Sequence, residues 1–138
     1  MYVLDTDILS LIHAGDETVV ERLRGAQMPV ATTIVTKAEI LQARFAYLLK
    51  AENAEHVMRA QEWLGKSLAV LATYVVIQFD EAAANTFDTL RRQKGIGRMG
   101  RADMLIACIA LANRATLVTA NVKDFERVPQ LKIVDWTK

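Results

Sequence analysis

One cysteine, two prolines and two histidines stand among 138 residues, and each scarcity excludes something. A lone Cys108 closes no intramolecular disulfide and cannot supply a zinc-finger ligand set. His13 and His56 lack ligand spacing, so both are expected to be structural or exposed. Few prolines and a 52% hydrophobic content exclude a disordered chain. No charge of one sign dominates: 17 Lys and Arg against 16 Asp and Glu give a net charge of +1. Any case for nucleic-acid or membrane binding must therefore come from local clusters. The longest apolar run, Met104 to Ala112, is too short to span a bilayer. The opening MYVLDTDILS lacks the positive start and long apolar run of a signal peptide. The expectation is a single domain over residues 1–138, in a reducing cytoplasm and away from membranes.

Two kinds of segment alternate along the chain, with no internal repeat or linker. Short apolar runs read as strands: Tyr2–Leu4, PVAT at 29–32, VVIQF at 75–79, TLVT at 116–119 and LKIV at 131–134. Helical stretches are expected from Asp7 to His13, Glu17 to Arg24, Thr36 to Lys50, Asn53 to about Leu71, Asp80 to about Gln93 and Arg101 to Asn113. In the third, Ala38, Leu41, Phe45 and Leu48 form one apolar stripe of a 3.6-residue period. The last is apolar nearly all round and is expected to be buried, with Cys108 acting as a small apolar residue. KGIGRMG at 94–100 holds three glycines and reads as a loop. Its Met99 is a candidate for contact with a substrate or a second subunit. Strands separated by helices predict an α/β fold, a three-layer α/β/α sandwich around a mainly parallel five-stranded sheet. In such sheets ligands sit at the carboxyl ends of the strands, where strand order reverses.

Acids occupy those positions. Asp5 directly follows the first strand, where Asp is otherwise depleted. Glu39 and Asp103 lie in the first turns of their helices, and Asp124 follows TLVT by a short turn. Each but Asp5 has a plain alternative. Thr36 with Glu39, and Asn121 with Asp124, have capping-box spacing. Asp7 is placed to cap the first helix, and Asp103 favours a helix macrodipole. Convergence has a physical consequence: two carboxylates ~4 Å apart repel by roughly 4 kcal/mol at an effective dielectric of ~20. A hard divalent cation, Mg²⁺ or Mn²⁺, suits an all-oxygen ligand set and would relieve that repulsion. Such a site suits hydrolysis of phosphate esters. Arg91, Arg92, Lys94, Arg98 and Arg101 crowd a stretch without an acid. They read either as a solvated helix end or as a clamp on a nucleic-acid backbone.

In this order the residues resemble a PIN domain, and more closely the VapC family of bacterial toxins. MYVLDTDIL resembles the first acidic motif, TTIVTKAEIL the second, and RADMLIACIALANRATLVTANVKDFERVPQLKIVDW the third and fourth. The resemblance implies a metal-dependent endoribonuclease, the toxin of a toxin–antitoxin pair. It places Asp5, Glu39 and Asp103 at the three main acidic positions and leaves the fourth open between Asn121 and Asp124. Thr6 and Thr119 would supply hydroxyls near the metal or phosphate. Asp7 stands where Asn is commoner, which leaves open whether it alters metal affinity or only caps its helix. The family also implies a homodimer and a cognate antitoxin. The helices from Thr36 to about Leu71, carrying Phe45, Tyr47, Leu48, Leu49 and Trp63, are candidates for both surfaces, although at least half of these side chains are expected in the intrachain core.

Two other readings carry distinct chemistry. Val3-Leu4-Asp5-Thr6-Asp7 also resembles the first motif of HAD-type phosphohydrolases, in which Asp5 would be a nucleophile. The later Gly-Asp motif such enzymes need is missing, since the one Gly-Asp pair is Gly15-Asp16. A catalytically silent PIN-like module that binds RNA or protein is the alternative without chemistry.

Overall fold

Burial on two sides explains the strands. Val3 and Leu117 belong to one apolar cluster, Leu4 and Val118 to another, and all four are 0% exposed. Successive residues of a strand point to opposite faces, so the sheet that carries them must be covered on both. The computed structural model, which describes residues 1–138, has five such strands: β1 (Tyr2–Leu4), β2 (Val30–Thr33), β3 (Val75–Ile77), β4 (Thr116–Val118) and β5 (Lys132–Val134). They pair in the order β3-β2-β1-β4-β5, and every pairing is parallel. Val3 sits opposite Ala31 on one side and Leu117 on the other.

The helices are α1 (Thr6–Ala14), α2 (Glu17–Arg24), α3 (Ile34–Leu49), α4 (Ala54–Ala72), α5 (Glu81–Leu90), α6 (Arg101–Ala112) and α7 (Val122–Phe125). One face of the sheet packs on α5, α6 and Phe125 of α7, with Ile106, Ala107, Cys108, Ile109 and Ala110 all buried. The other face packs on Ile8 and Leu9 of α1, Val19 of α2, Ile40 of α3, Leu71 of α4, and Trp136. This is a three-layer α/β/α sandwich with a wholly parallel sheet. Because β2 and β3 lie to one side of β1 while β4 and β5 lie to the other, strand order reverses beside β1. That opens a crevice at the carboxyl ends of β1 and β4.

Several local expectations change. β2 runs straight into α3, so the cap is Thr33, whose hydroxyl accepts from Thr36 N at 3.1 Å. Thr36 and Glu39 are therefore no capping box; both sit inside the helix. Asp7 does not cap α1 either, since Asp5 holds that place and accepts from Thr6 N at 2.8 Å. The inner face of α3 carries buried Thr36 and Ile40 rather than the Ala38–Phe45 stripe, which leaves Ala38 and Phe45 exposed. Met99 is buried in the core and so faces neither substrate nor a second subunit. A short 3₁₀ turn, Ile96–Arg98, sits within the glycine loop and is entered through Gly95 at φ 87°. Asp80 caps α5 as expected, accepting from Ala83 N at 3.0 Å.

Candidate active site

Several acids gather at the carboxyl edge of the sheet, the first of them at a strand-to-helix junction. Asp5 closes β1 and opens α1, and its backbone N–H still pairs with Val118 O across the sheet at 2.9 Å. Both of its carboxylate oxygens are engaged: Oδ1 accepts from Thr6 N, and Oδ2 accepts from the Thr119 hydroxyl at 2.7 Å. Only 5% of the residue is exposed. Burial, and next the charge of Asp7, push its pKa up to about 7, against the opposing pull of hydrogen bonds from Thr119 and Thr6. Asp103 adds to the repulsion.

Glu39 reaches the same place from α3. The Thr6 hydroxyl donates to Glu39 Oε1 at 2.7 Å and lies 3.0 Å from the Thr36 hydroxyl, so the first residue of α1 holds the acid of α3. Asp103, in the first turn of α6, is half-buried. Its pKa is raised by burial first and then by the charges of Glu39, Asp124 and Asp7. Asp124 lies on α7, where Asn121 makes no side-chain cap. Instead the Asn121 amide donates to Asp124 Oδ2 at 3.0 Å, which replaces the expected capping box. Asp7 accepts from Ile8 N at 2.7 Å and from Ala120 N at 3.1 Å, and burial raises its pKa.

Acids remote in sequence are thus brought within electrostatic reach of one another at one edge. No three of them close around a single point as a finished metal cage would. The donor chemistry nevertheless fits a hard divalent cation: every group is a carboxylate, and each of Asp5, Asp7 and Asp103 is held above its ordinary range partly by its neighbours' charges.

Two polar residues of the edge escaped the sequence reading in that role. Thr36 was read as a cap and is a buried partner of Thr6. Asp135 follows β5 as Asp5 follows β1, and its charge acts on Asp7. The rule that found Asp5, an acid directly after an apolar strand, would have found Asp135. Hydrogen bonds from the Thr137 hydroxyl at 2.6 Å and backbone N–H at 2.8 Å hold its own carboxyl below the usual range.

Arg91, Arg92, Lys94, Arg98 and Arg101 are all exposed, between the end of α5 and the start of α6. The chain's one ion pair, Lys66–Glu62 at 3.6 Å, involves none of them. Arg91 and Arg101 lie 6.0 and 5.4 Å from the centre of the Phe87 ring. The basic stretch therefore presents uncompensated positive charge beside the helix that bears Asp103. Gly15-Asp16, by contrast, is a helix boundary: Asp16 accepts from Val19 N at 3.0 Å as the cap of α2. With that pair spent on capping, the phosphohydrolase reading is left without its second acidic motif.

A parallel α/β/α sandwich of strand order 3-2-1-4-5 is common to many doubly wound proteins, and the acids gathered at its carboxyl edge narrow the class. Residues 2–131 match the PIN domain. Ribonuclease VapC1 of Haemophilus influenzae (strain R2866) is 32% identical over 142 residues, covering 100% of this chain and 99% of that protein. Ribonuclease VapC2 of Rickettsia felis is 39% identical over 141 residues, again covering 100% and 99%. Among solved structures, VapBC2 from Rickettsia felis, bound to a DNA fragment from their promoter, has a chain that superposes with a TM-score of 0.79 at 25% identity, covering 98% of each chain. The chain belongs to the PIN-domain family.

Proposed function

We propose that this chain is a Mg²⁺- or Mn²⁺-dependent endoribonuclease, the toxin of a toxin–antitoxin pair, acting as one PIN-like unit over residues 1–138 in the cytoplasm. The observation that carries the reading is the mutual repulsion of Asp5, Asp103 and their neighbours at the switch point of the sheet. Asp5, Glu39, Asp103 and Asp124 would hold the metal. Asp124 is preferred to Asn121 because its charge reaches Asp103, while the Asn121 amide only steadies Asp124. When bound, the metal supplies Lewis-acid activation of water and neutralises charge on the scissile phosphate.

The chain's own residues supply the rest. The Thr119 hydroxyl and Thr6 N–H fix the Asp5 carboxylate in one orientation, and the Thr6 hydroxyl does the same for Glu39. Asp103 has no such fixed donor, and its raised pKa suits a carboxyl that accepts a proton from the attacking water. Arg91, Arg92, Lys94, Arg98 and Arg101 hold the RNA backbone across this edge.

The partners would be a cognate antitoxin and a second copy of the chain. The relatives' VapBC assemblies support the first. Support for an interface on the α3–α4 hairpin comes from its surface: Phe45, Tyr47, Leu49, Met58 and Leu68 are exposed. Ser10, His13, Arg44, Tyr47, Arg59 and Trp63 border an open groove of about 550 Å³ that shares Tyr47 with this surface.

Purified protein incubated with single-stranded RNA tests the proposal. Cleavage is expected with Mg²⁺ or Mn²⁺ and not with chelator. Asp5→Asn and Asp103→Asn are expected to abolish it while keeping the native circular-dichroism spectrum. A silent module, the reading favoured by the lack of a tight three-acid set, would show neither cleavage nor metal-dependent thermal stabilisation.

A further inference from the structure

We propose that Asp7 is a positioning residue: its carboxylate clamps the turn at residues 119–121 onto the start of α1, and so sets the Asp124 side of the acidic edge. The inference rests on the nuclease reading above for its kinetic consequence, but not for the clamp itself.

Asp7 lies in the first turn of α1, where backbone N–H groups have no partner within the helix. One carboxylate oxygen takes such a donor, Ile8 N at 2.7 Å. The other reaches across 113 residues of sequence to Ala120 N at 3.1 Å. Ala120 is the first residue beyond the β4–β5 ladder, whose last bond is Thr119 N to Val134 O at 3.0 Å. The turn is then fastened at each successive residue. The Thr119 hydroxyl donates to Asp5, Ala120 N to Asp7, and Asn121 N to Thr119 Oγ1 at 3.0 Å. The Asn121 side chain passes the constraint on to Asp124. Among these fastenings only Asp7 ties the turn's backbone directly to α1.

The cap of α1 is Asp5, which separates this role from capping, and each Asp7 oxygen takes one backbone donor. An amide offers one acceptor oxygen where the carboxylate offers two. Asn at this position should therefore keep one of the two bonds, and Ala neither.

The test compares Asp7→Ala and Asp7→Asn with the unaltered chain. Amide hydrogen exchange is followed on metal-free protein, and cleavage kinetics with Mn²⁺. Exchange at Ala120 should be about tenfold faster or more in Asp7→Ala. Exchange in β1 should not change. The kcat should fall roughly 10–100-fold at nearly constant KM, as expected when a supporting group shifts reacting groups by a fraction of an ångström. Asp7→Asn should recover part of both effects; it also serves alone, by its intermediate exchange, if Asp7→Ala does not fold. Unchanged Ala120 exchange in Asp7→Ala overturns the clamp. Fast exchange with undiminished kcat overturns the positioning role. An Asp7→Asn protein that keeps Ala120 protected but is as inactive as Asp5→Asn assigns Asp7 to the metal and overturns the proposal. If the unaltered chain cleaves no RNA, the nuclease reading fails separately, and the exchange comparison still decides the clamp.

Discussion

The carboxyl edge of the sheet and the outer face of the α3–α4 hairpin break the usual rule of burial in opposite directions. At the edge, charged groups lie inside: Asp5 is 5% exposed among Asp7, Glu39, Asp103 and Asp124. On the hairpin, apolar groups lie outside, with Leu49 69% and Met58 71% exposed. Both arrangements disfavour the isolated chain, one through desolvated like charges and the other through hydrated apolar surface. A sequence that departs from local consistency at two places is read most economically as having two things to bind. Under the proposed function the acids at the edge would hold a cation and the hairpin would meet protein.

The largest effect expected from disturbing this contrast is on cleavage. Asp103→Asn keeps volume and shape but removes charge, and should lower kcat/KM at saturating Mg²⁺ by at least about a hundredfold. A metal-free melting temperature equal to or above that of the unaltered chain should accompany the loss, because the side chain removed is repelled by Glu39, Asp124 and Asp7. A fall in both together would make Asp103 a structural residue.

Next in size is the pH dependence of metal-free stability. Burial and the charge of Asp7 raise the Asp5 pKa from 3.8 to about 7, so the folded chain binds this proton more tightly than the unfolded chain does. The stability contribution is complete below about pH 4 and is lost as pH rises toward 7. A few kcal/mol is the scale such a shift implies. Urea denaturation in chelator should therefore give a lower midpoint at pH 8 than at pH 6. Asp5→Asn should remove most of that difference, and Mg²⁺ should raise the pH 8 midpoint of the unaltered chain only. A midpoint independent of pH would break the comparison on its buried side.

How much of this was legible in the sequence differs between the two regions. Asp5 and Asp103 were legible because their positions violate simple preferences: an acid after a buried strand, and an acid leading a helix apolar all round. The parallel sheet followed from strands and helices in alternation. The local caps were misread because β2 passes into α3 without a loop residue, which moves the cap to Thr33 and frees Glu39 for Thr6. The role of Asp7 stays open between capping and metal affinity in the sequence, because sequence alone does not show that the donor it serves is Ala120. The hairpin was the least legible region. Periodicity shows that a helix has an apolar face but not whether the chain supplies a partner for it, and Phe45, Tyr47, Leu49 and Trp63 proved exposed.

A smaller effect is expected on the hairpin. Leu49→Glu combined with Met58→Glu places charge where the surface is already hydrated, so folding stability should change by no more than about 0.5 kcal/mol for either substitution. If this face is an interface, self-association or binding of the antitoxin should weaken at least about tenfold, measured by light scattering for the first and by calorimetry for the second. Unaltered association of both kinds would leave the exposed apolar face without a role, and the contrast with the acidic edge would reduce to one functional region.

The smallest effect belongs to the join between the hairpin and α1. The Trp63 indole N–H donates to His13 Nε2 at 2.9 Å, the Arg44 guanidinium lies 4.1 Å from the centre of the Trp63 ring, and Arg44 Nε donates to the Ser67 hydroxyl at 3.1 Å. Burial first, and then the charges of Arg44 and Lys66, lower the His13 pKa, so the imidazole stays neutral and remains an acceptor. Its contribution is present above the ordinary histidine range and is lost as pH falls through the lowered value. Trp63→Phe keeps the ring under Arg44 and removes the donor, which should cost about 1 kcal/mol near pH 8. Once pH has fallen far enough to protonate His13 in the folded chain, the two proteins should converge in stability, because the imidazolium has no acceptor nitrogen. A gap that persists at low pH would mean that the Trp63 ring, and not its N–H bond to His13, holds the exposed hairpin against the body that carries the acids.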